Sequence, residues 1–175
     1  MLITLKELFY VKKNYIEERI LNVYHFSGLV NLQYLDLSYN NISDIDPEAF
    51  KYLRNLHTLV IRRNSLAMVS DWTAPLRSLV TLDIAQNCLV QLSTSLSLAS
   101  LQELDVSDNM LVELSEETLG SLVELRRLDL SYNKLSAAPP VNNMAGLTEL
   151  SLSGNMIKTL DESSLAGLRA LQVAL

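Results

Sequence analysis

At 175 residues, with 49% hydrophobic and 19% charged side chains, the chain can bury a core and amounts to one domain or one stretch of a repeat array. Its net charge of −6 excludes a general electrostatic grip on nucleic acid, which needs a basic surface. One Cys excludes a disulfide framework or a Cys-based zinc site, and five Gly with four Pro exclude collagen-like and low-complexity classes.

Leucine is the anomaly, at 37 residues against three Phe and one Trp. Ordinary cores mix side-chain shapes to fill space, so this bias points to a repeated packing unit.

The N-terminal stretch MLITLKELFYVKKN has no basic start before its apolar part, and Lys6, Glu7, Lys12 and Lys13 interrupt it. It does not read as a signal peptide. No segment reaches the roughly 18 uninterrupted apolar residues of a membrane-spanning helix.

Residues 1–31 hold a degenerate copy of a repeat, marked by Phe9, Val11, Asn14 and Ile16. Six clear copies fill residues 32–170. The first places Leu32, Leu35, Leu37, Asn40 and Ile42 in a skeleton that recurs at Leu56–Leu66, Leu79–Leu89, Leu101–Leu111, Leu125–Leu135 and Leu147–Ile157. Its marker is an Asn between apolar positions: Asn40, Asn64, Asn87, Asn109, Asn133 and Asn155, at steps of 24, 23, 22, 24 and 22 residues. A further copy, anticipated by Leu168, starts at 171 and runs out at 175. The whole chain, 1–175, therefore reads as a single array.

Within each copy the residues around the second Leu alternate out, in, out, the pattern of a short strand. Leu35 points in while Tyr34 and Asp36 point out. One copy alone leaves an apolar face bare, so successive copies must stack their strands in parallel. The return from Asn to the next strand reads as loop without a second paired strand, with 3₁₀ or α turns near PEAFKYL, EETLGSL and ESSLAGL.

The recurring amide needs a polar reason. Asn offers two donors and an acceptor, which suits backbone groups stranded by a sharp turn after each strand. A buried ladder is therefore expected, with Asn64, Asn87, Asn109 and Asn133 bonded to backbone; an Asn-lined binding strip is the alternative. A second core column holds Phe26, Phe50, Leu119 and Leu165. Trp72 falls near it, slightly out of register, either as a variant spine residue or as an exposed anchor for a partner.

No catalytic constellation is present. His25 and His57 lie in different copies, and Cys88 has no His in its own copy to serve as base. There is no Gly-rich phosphate loop and no HExxH helix. The expectation is a non-enzymatic protein with no cofactor and no metal. The sequon Asn41-Ile42-Ser43 is no commoner than chance allows.

The skeleton LxxLxLxxNxL resembles the leucine-rich repeat. ELSEETLGSLVELRRLDLSYNKL and ISDIDPEAFKYLRNLHTL are similar to the "typical" repeat of about 24 residues, used by Toll-like receptors, Slit-like proteins and other cell-surface or adhesion proteins. The resemblance implies an α/β-type solenoid: a curved right-handed superhelix with a concave parallel sheet and convex loops or short turns.

It also implies a binding role. The expected function is a protein-binding scaffold, a piece of a cell-surface or secreted recognition protein. The alternative is an intracellular adaptor or regulatory subunit, since three of the five repeat steps are only 22 or 23 residues. Extracellular arrays usually carry Cys-rich caps; their lack here is read as both ends missing. Leu165, Leu168 and Leu171 would then be bare, allowing association through uncapped ends.

The ligand face is expected on the sheet, at Tyr34, Tyr39, Arg62, Arg63, Asp83, Glu103, Asp105, Arg127, Asp129 and Tyr132. Asp followed by Ser is the repeat's default, so the informative departure is Val60-Ile61-Arg62-Arg63. These Arg residues read either as ion-pair partners of Asp36 and Asp83 or as a binding hot spot. A mixed face of this kind suits a protein or peptide ligand, not a nucleic acid.

Overall fold

The computed structural model describes residues 9–10, 19–93, 96–160 and 162–174. Val11, Asn14 and Ile16 of the degenerate copy lie outside them. The strand Phe9–Tyr10 lies within, and it pairs Phe9 with Leu35 in the register the repeat requires.

One strand per copy builds an eight-stranded parallel sheet, in chain order from Phe9–Tyr10 to Val173–Ala174. Between them lie Tyr34–Asp36, Thr58–Val60, Thr81–Asp83, Glu103–Asp105, Arg127–Asp129 and Glu149–Ser151. Register is unbroken: Leu35, Leu59, Leu82, Leu104, Leu128 and Leu150 stack as neighbours. Each is at most 2% exposed. Because side chains alternate along a strand, this one buried column places its two flanking columns on the outer face.

The return segments differ from expectation in one respect. Two short parallel pairs form there, Ile20–Leu21 with Asp44–Ile45 and Met68–Val69 with Gln91–Leu92. Each buries its second residue and exposes its first. Copies in close step let these two-residue segments run side by side. Pro139 and Pro140, in the later return around Ser136–Pro140, offer no N–H for such a pair.

Turns fall near the expected places. Helices span Glu116–Gly120 and Glu162–Leu165, and 3₁₀ turns span Val23–Phe26 and Asp71–Thr73, whereas PEAFKYL forms plain turns. Ser115 caps its helix by accepting from the Thr118 N–H. The 3₁₀ turn at Asp71–Thr73 delivers Trp72 to the core. There its ring meets Phe50 edge-on at 5.6 Å, and Phe50 meets Phe26 at 5.5 Å. Trp72 is 1% exposed, so it is a spine residue and not a surface anchor.

The end of the chain is better shielded than expected. Leu168 is buried, while Leu165 and Leu171 are half-buried against the core. The strand Val173–Ala174 continues the sheet onto Glu149–Leu150.

Candidate functional site: the outer face of the long sheet

Two columns cross this face. One runs Tyr34, Thr58, Thr81, Glu103, Arg127, Glu149; the other runs Asp36, Val60, Asp83, Asp105, Asp129, Ser151. A third column follows in the turns. Tyr39, Arg63, Gln86, Asp108 and Tyr132 all take left-handed backbone, with φ between 54° and 60°, and Gly154 does so at 69°. Each stands immediately before a ladder Asn. A non-glycine residue there costs roughly 1–2 kcal/mol, which the ladder must hold in place.

From Asn64 to Asn155 the ladder does so by one repeated set of bonds. Asn109 Nδ2 donates to the carbonyls of Ile84, Val106 and Ser107, each at 3.1 Å, and its Oδ1 accepts from Leu89 N–H at 2.9 Å. Asn64, Asn87, Asn133 and Asn155 repeat this pattern across two copies, and Asn40 Nδ2 donates to Leu37 O at 2.9 Å. Asn87, Asn109 and Asn133 are buried. Asn64 was expected to be buried with them but is only half-buried.

The Asp column is partly structural. Asp36, Asp83, Asp105 and Asp129 each accept the N–H of the residue two further on, at 2.9–3.0 Å. These Asx turns bend the chain out of the strand. Asp36 is buried and also receives the Ser38 hydroxyl, and Asp129 receives Ser131 Oγ at 2.6 Å.

The expected pairing of Arg62 with Asp36 is therefore corrected. The Asp36 carboxylate is turned to Ser38, whereas Arg62 Nη1 does face the other expected partner, Asp83, and also Asp105, each at 3.9 Å. Arg62 and Arg63 both donate through Nε to Gln86 Oε1, at 3.0 and 2.7 Å. Gln86 Nε2 in turn donates to Asp108 Oδ2 at 3.0 Å. The Arg63 guanidinium lies over the Tyr39 ring, 5.0 Å from its centroid. Sequence reasoning missed Gln86 as the organiser of this cluster. Its signal was present, one repeat step beyond Arg63 in the same turn column.

The remaining expected residues divide. Asp83, Glu103, Asp105 and Arg127 line one shallow depression of about 210 Å³, which Thr81 completes although it was not among the expected residues. Arg127 also reaches Glu149 at 3.4 Å. Tyr132 is set apart: its ring lies over Gly154, where a Cβ would stand 2.6 Å from it. Tyr34 is half-buried on the second strand of the sheet, next to Phe9–Tyr10.

Burial raises the Asp83 carboxyl above its ordinary value, with Asp105 and Asp36 adding to the effect, while the Ala85 N–H and Arg62 oppose it. The folded chain thus holds this proton to higher pH than the unfolded chain does. Asp83 contributes stability that is full below its ordinary value and is lost as pH rises through the folded value. Asp83→Asn keeps an oxygen for Ala85 N–H and has nothing to titrate. The variant should therefore lack this fall in stability when urea midpoints are compared from about pH 4 to 7. An unchanged pH profile would show that Asp83 does not carry it.

Among the described residues no His, Cys, Asp and Glu cluster could hold a metal, and no helix is long and apolar enough to cross a membrane. His25 caps the first 3₁₀ turn through Asn22, and Cys88 is a half-exposed free thiol.

A family model described as "Leucine rich repeat" matches residues 9–66, 54–111 and 77–135, and "Leucine Rich repeats (2 copies)" matches 123–166. A search of curated proteins found no match. Among solved structures, TLR13 in complex with ssRNA13 is similar at 28% identity and a TM-score of 0.81, over 89% of this chain and 23% of that one. The LRR protein LIC12759 of Leptospira interrogans is similar at 30% identity and a TM-score of 0.82, over 94% of this chain and 41% of that one. The chain thus spans less than half the length of either. With matching models across most of its length, and one strand, one turn and one ladder Asn in every clear copy, the chain belongs to the leucine-rich repeat family.

Proposed function

We propose that this chain is a non-enzymatic protein-binding scaffold that takes a protein or peptide ligand on the outer face of its long sheet, centred on Arg62 and Arg63. The supporting observation is the preorganised guanidinium pair. Gln86 fixes both Nε atoms, Tyr39 backs Arg63, and the terminal nitrogens of Arg63 keep their donors open among the described residues. Arg and Tyr held in this way are the residues that dominate interface energetics, because little side-chain freedom is left to lose. The acidic residues around them favour a partner of mixed charge over a polyanion.

The array is read as part of a cell-surface or secreted recognition protein. Its likeness to TLR13, solved in complex with ssRNA13, supports the recognition part of that reading.

The test selects binders from a displayed peptide library against the unaltered chain and measures them on the Arg62→Ala, Arg63→Ala double variant. Affinity should fall by about 30-fold or more, equivalent to roughly 2 kcal/mol. Stability should change by well under about 1 kcal/mol, since the Arg62 ion pairs are long and partly solvated. Binders that keep their full affinity for the double variant would eliminate this site.

A further inference from the structure

The residues that lead into each strand form a flank separate from the sheet face. In the segments just ahead of Leu56 and Leu79 this flank opens into a groove of about 960 Å³. Lys51, Tyr52, Arg54, Asn55 and Arg77 line it, and Glu48 is the one acidic residue in its lining.

That carboxylate is already matched, by Lys51 Nζ at 2.9 Å. Arg54 and Arg77 are exposed, and neither makes an ion pair among the described residues. On the sheet face, by contrast, Arg62 and Arg127 face carboxylates and Arg63 is bonded to Gln86. Tyr52 is 40% exposed, with Lys51 standing 5.5 Å from its ring centroid. Asn55 Nδ2 donates to Val30 O at 2.9 Å and ties this copy to the one before it. The groove thus has a backbone-anchored wall, one aromatic ring and two uncompensated guanidinium forks.

This basic spot is against the trend of the molecule. The net charge is −6, and two copies further along the same flank carries exposed Glu116, Glu117 and Glu124.

We propose that the groove is a second binding site, for a short carboxylate-rich peptide segment of a protein partner. Guanidinium forks match carboxylates in two parallel hydrogen bonds. The Tyr52 ring offers a flat apolar surface to a neighbouring side chain of the segment. The segment must be short, because the basic stretch covers only two copies and the acidic flank beyond would repel an extended polyanion. A nucleic acid needs a continuous basic track under its phosphates, which two guanidiniums do not supply.

The test is fluorescence anisotropy of the full chain with a labelled octapeptide of alternating Glu and Tyr, at about 0.15 M salt. A labelled octa-uridine serves as the second probe. Saturable binding of the peptide is expected, weakened by about tenfold or more in Arg54→Glu, Arg77→Glu. It should be unchanged in Lys158→Glu, the reversal of an exposed charge outside both candidate sites. Should the charge reversal unfold the chain, Arg54→Gln, Arg77→Gln tests the same contacts without repulsion and should still weaken binding several-fold. Absent peptide binding, equal binding by the neutralised variant, or tighter binding of octa-uridine would each overturn the proposal.

Discussion

Trp72→Ala is expected to destabilise the chain by about 3–5 kcal/mol, the range for truncating a large buried aromatic side chain. Trp72 is the largest fully buried side chain, and it ends the run of rings from Phe26 through Phe50. Truncation would leave Phe50 without its edge-on partner and open a void at the junction of two copies. In a repeat array each copy is held by its neighbours, so a void there weakens the coupling between the first copies and the rest. Trp72→Phe should cost far less. It keeps a ring against Phe50, and it removes a buried indole N–H that has no hydrogen-bond partner among the described residues. Urea unfolding followed by circular dichroism reads both variants. An alanine variant less than about 1 kcal/mol below the parent would remove the ring stack from the account of stability.

Asn109→Ala should cost about 1–3 kcal/mol, and the upper end is expected. Its amide bonds to carbonyls from two copies and accepts an N–H from the earlier one, and it is 7% exposed. Alanine would leave Leu89 N–H and the carbonyl of Ile84 without this partner, in a place that water reaches poorly. It would also release the left-handed residue Asp108, whose side chain is the far end of the Gln86 cluster. Asn155→Ala offers the internal comparison, because Asn155 makes equivalent bonds but is only half-buried. Its loss should be smaller. Equal melting temperatures for Asn109→Ala and the parent would show that the ladder does not hold the turns.

Much of the fold was legible in the residues. A buried Leu at every strand centre and an Asn after it recur at 22 to 24 residues, and stacking is the arrangement that covers each copy's apolar face. Position in the repeat then names the outer columns, because side chains alternate along a strand. The candidate site residues were found in that way. Trp72 could not be placed so firmly. It stands one residue out of register, and only the 3₁₀ turn at Asp71–Thr73 shows that the offset brings it into the spine.

Direction within a column was decided by the tertiary structure alone. The repeat puts Arg62 one step from both Asp36 and Asp83, but it does not say that Ser38 has already engaged the Asp36 carboxylate. Nor does it show Gln86 gathering both arginines, since hydrogen-bond geometry depends on side-chain torsions that spacing does not set. The short pairs in the return segments depend on neighbouring copies keeping close step over two residues, and the flank groove depends on which guanidiniums find a carboxylate. The period of a sequence determines which residues are neighbours; competition among those neighbours for a few polar atoms is settled only in three dimensions.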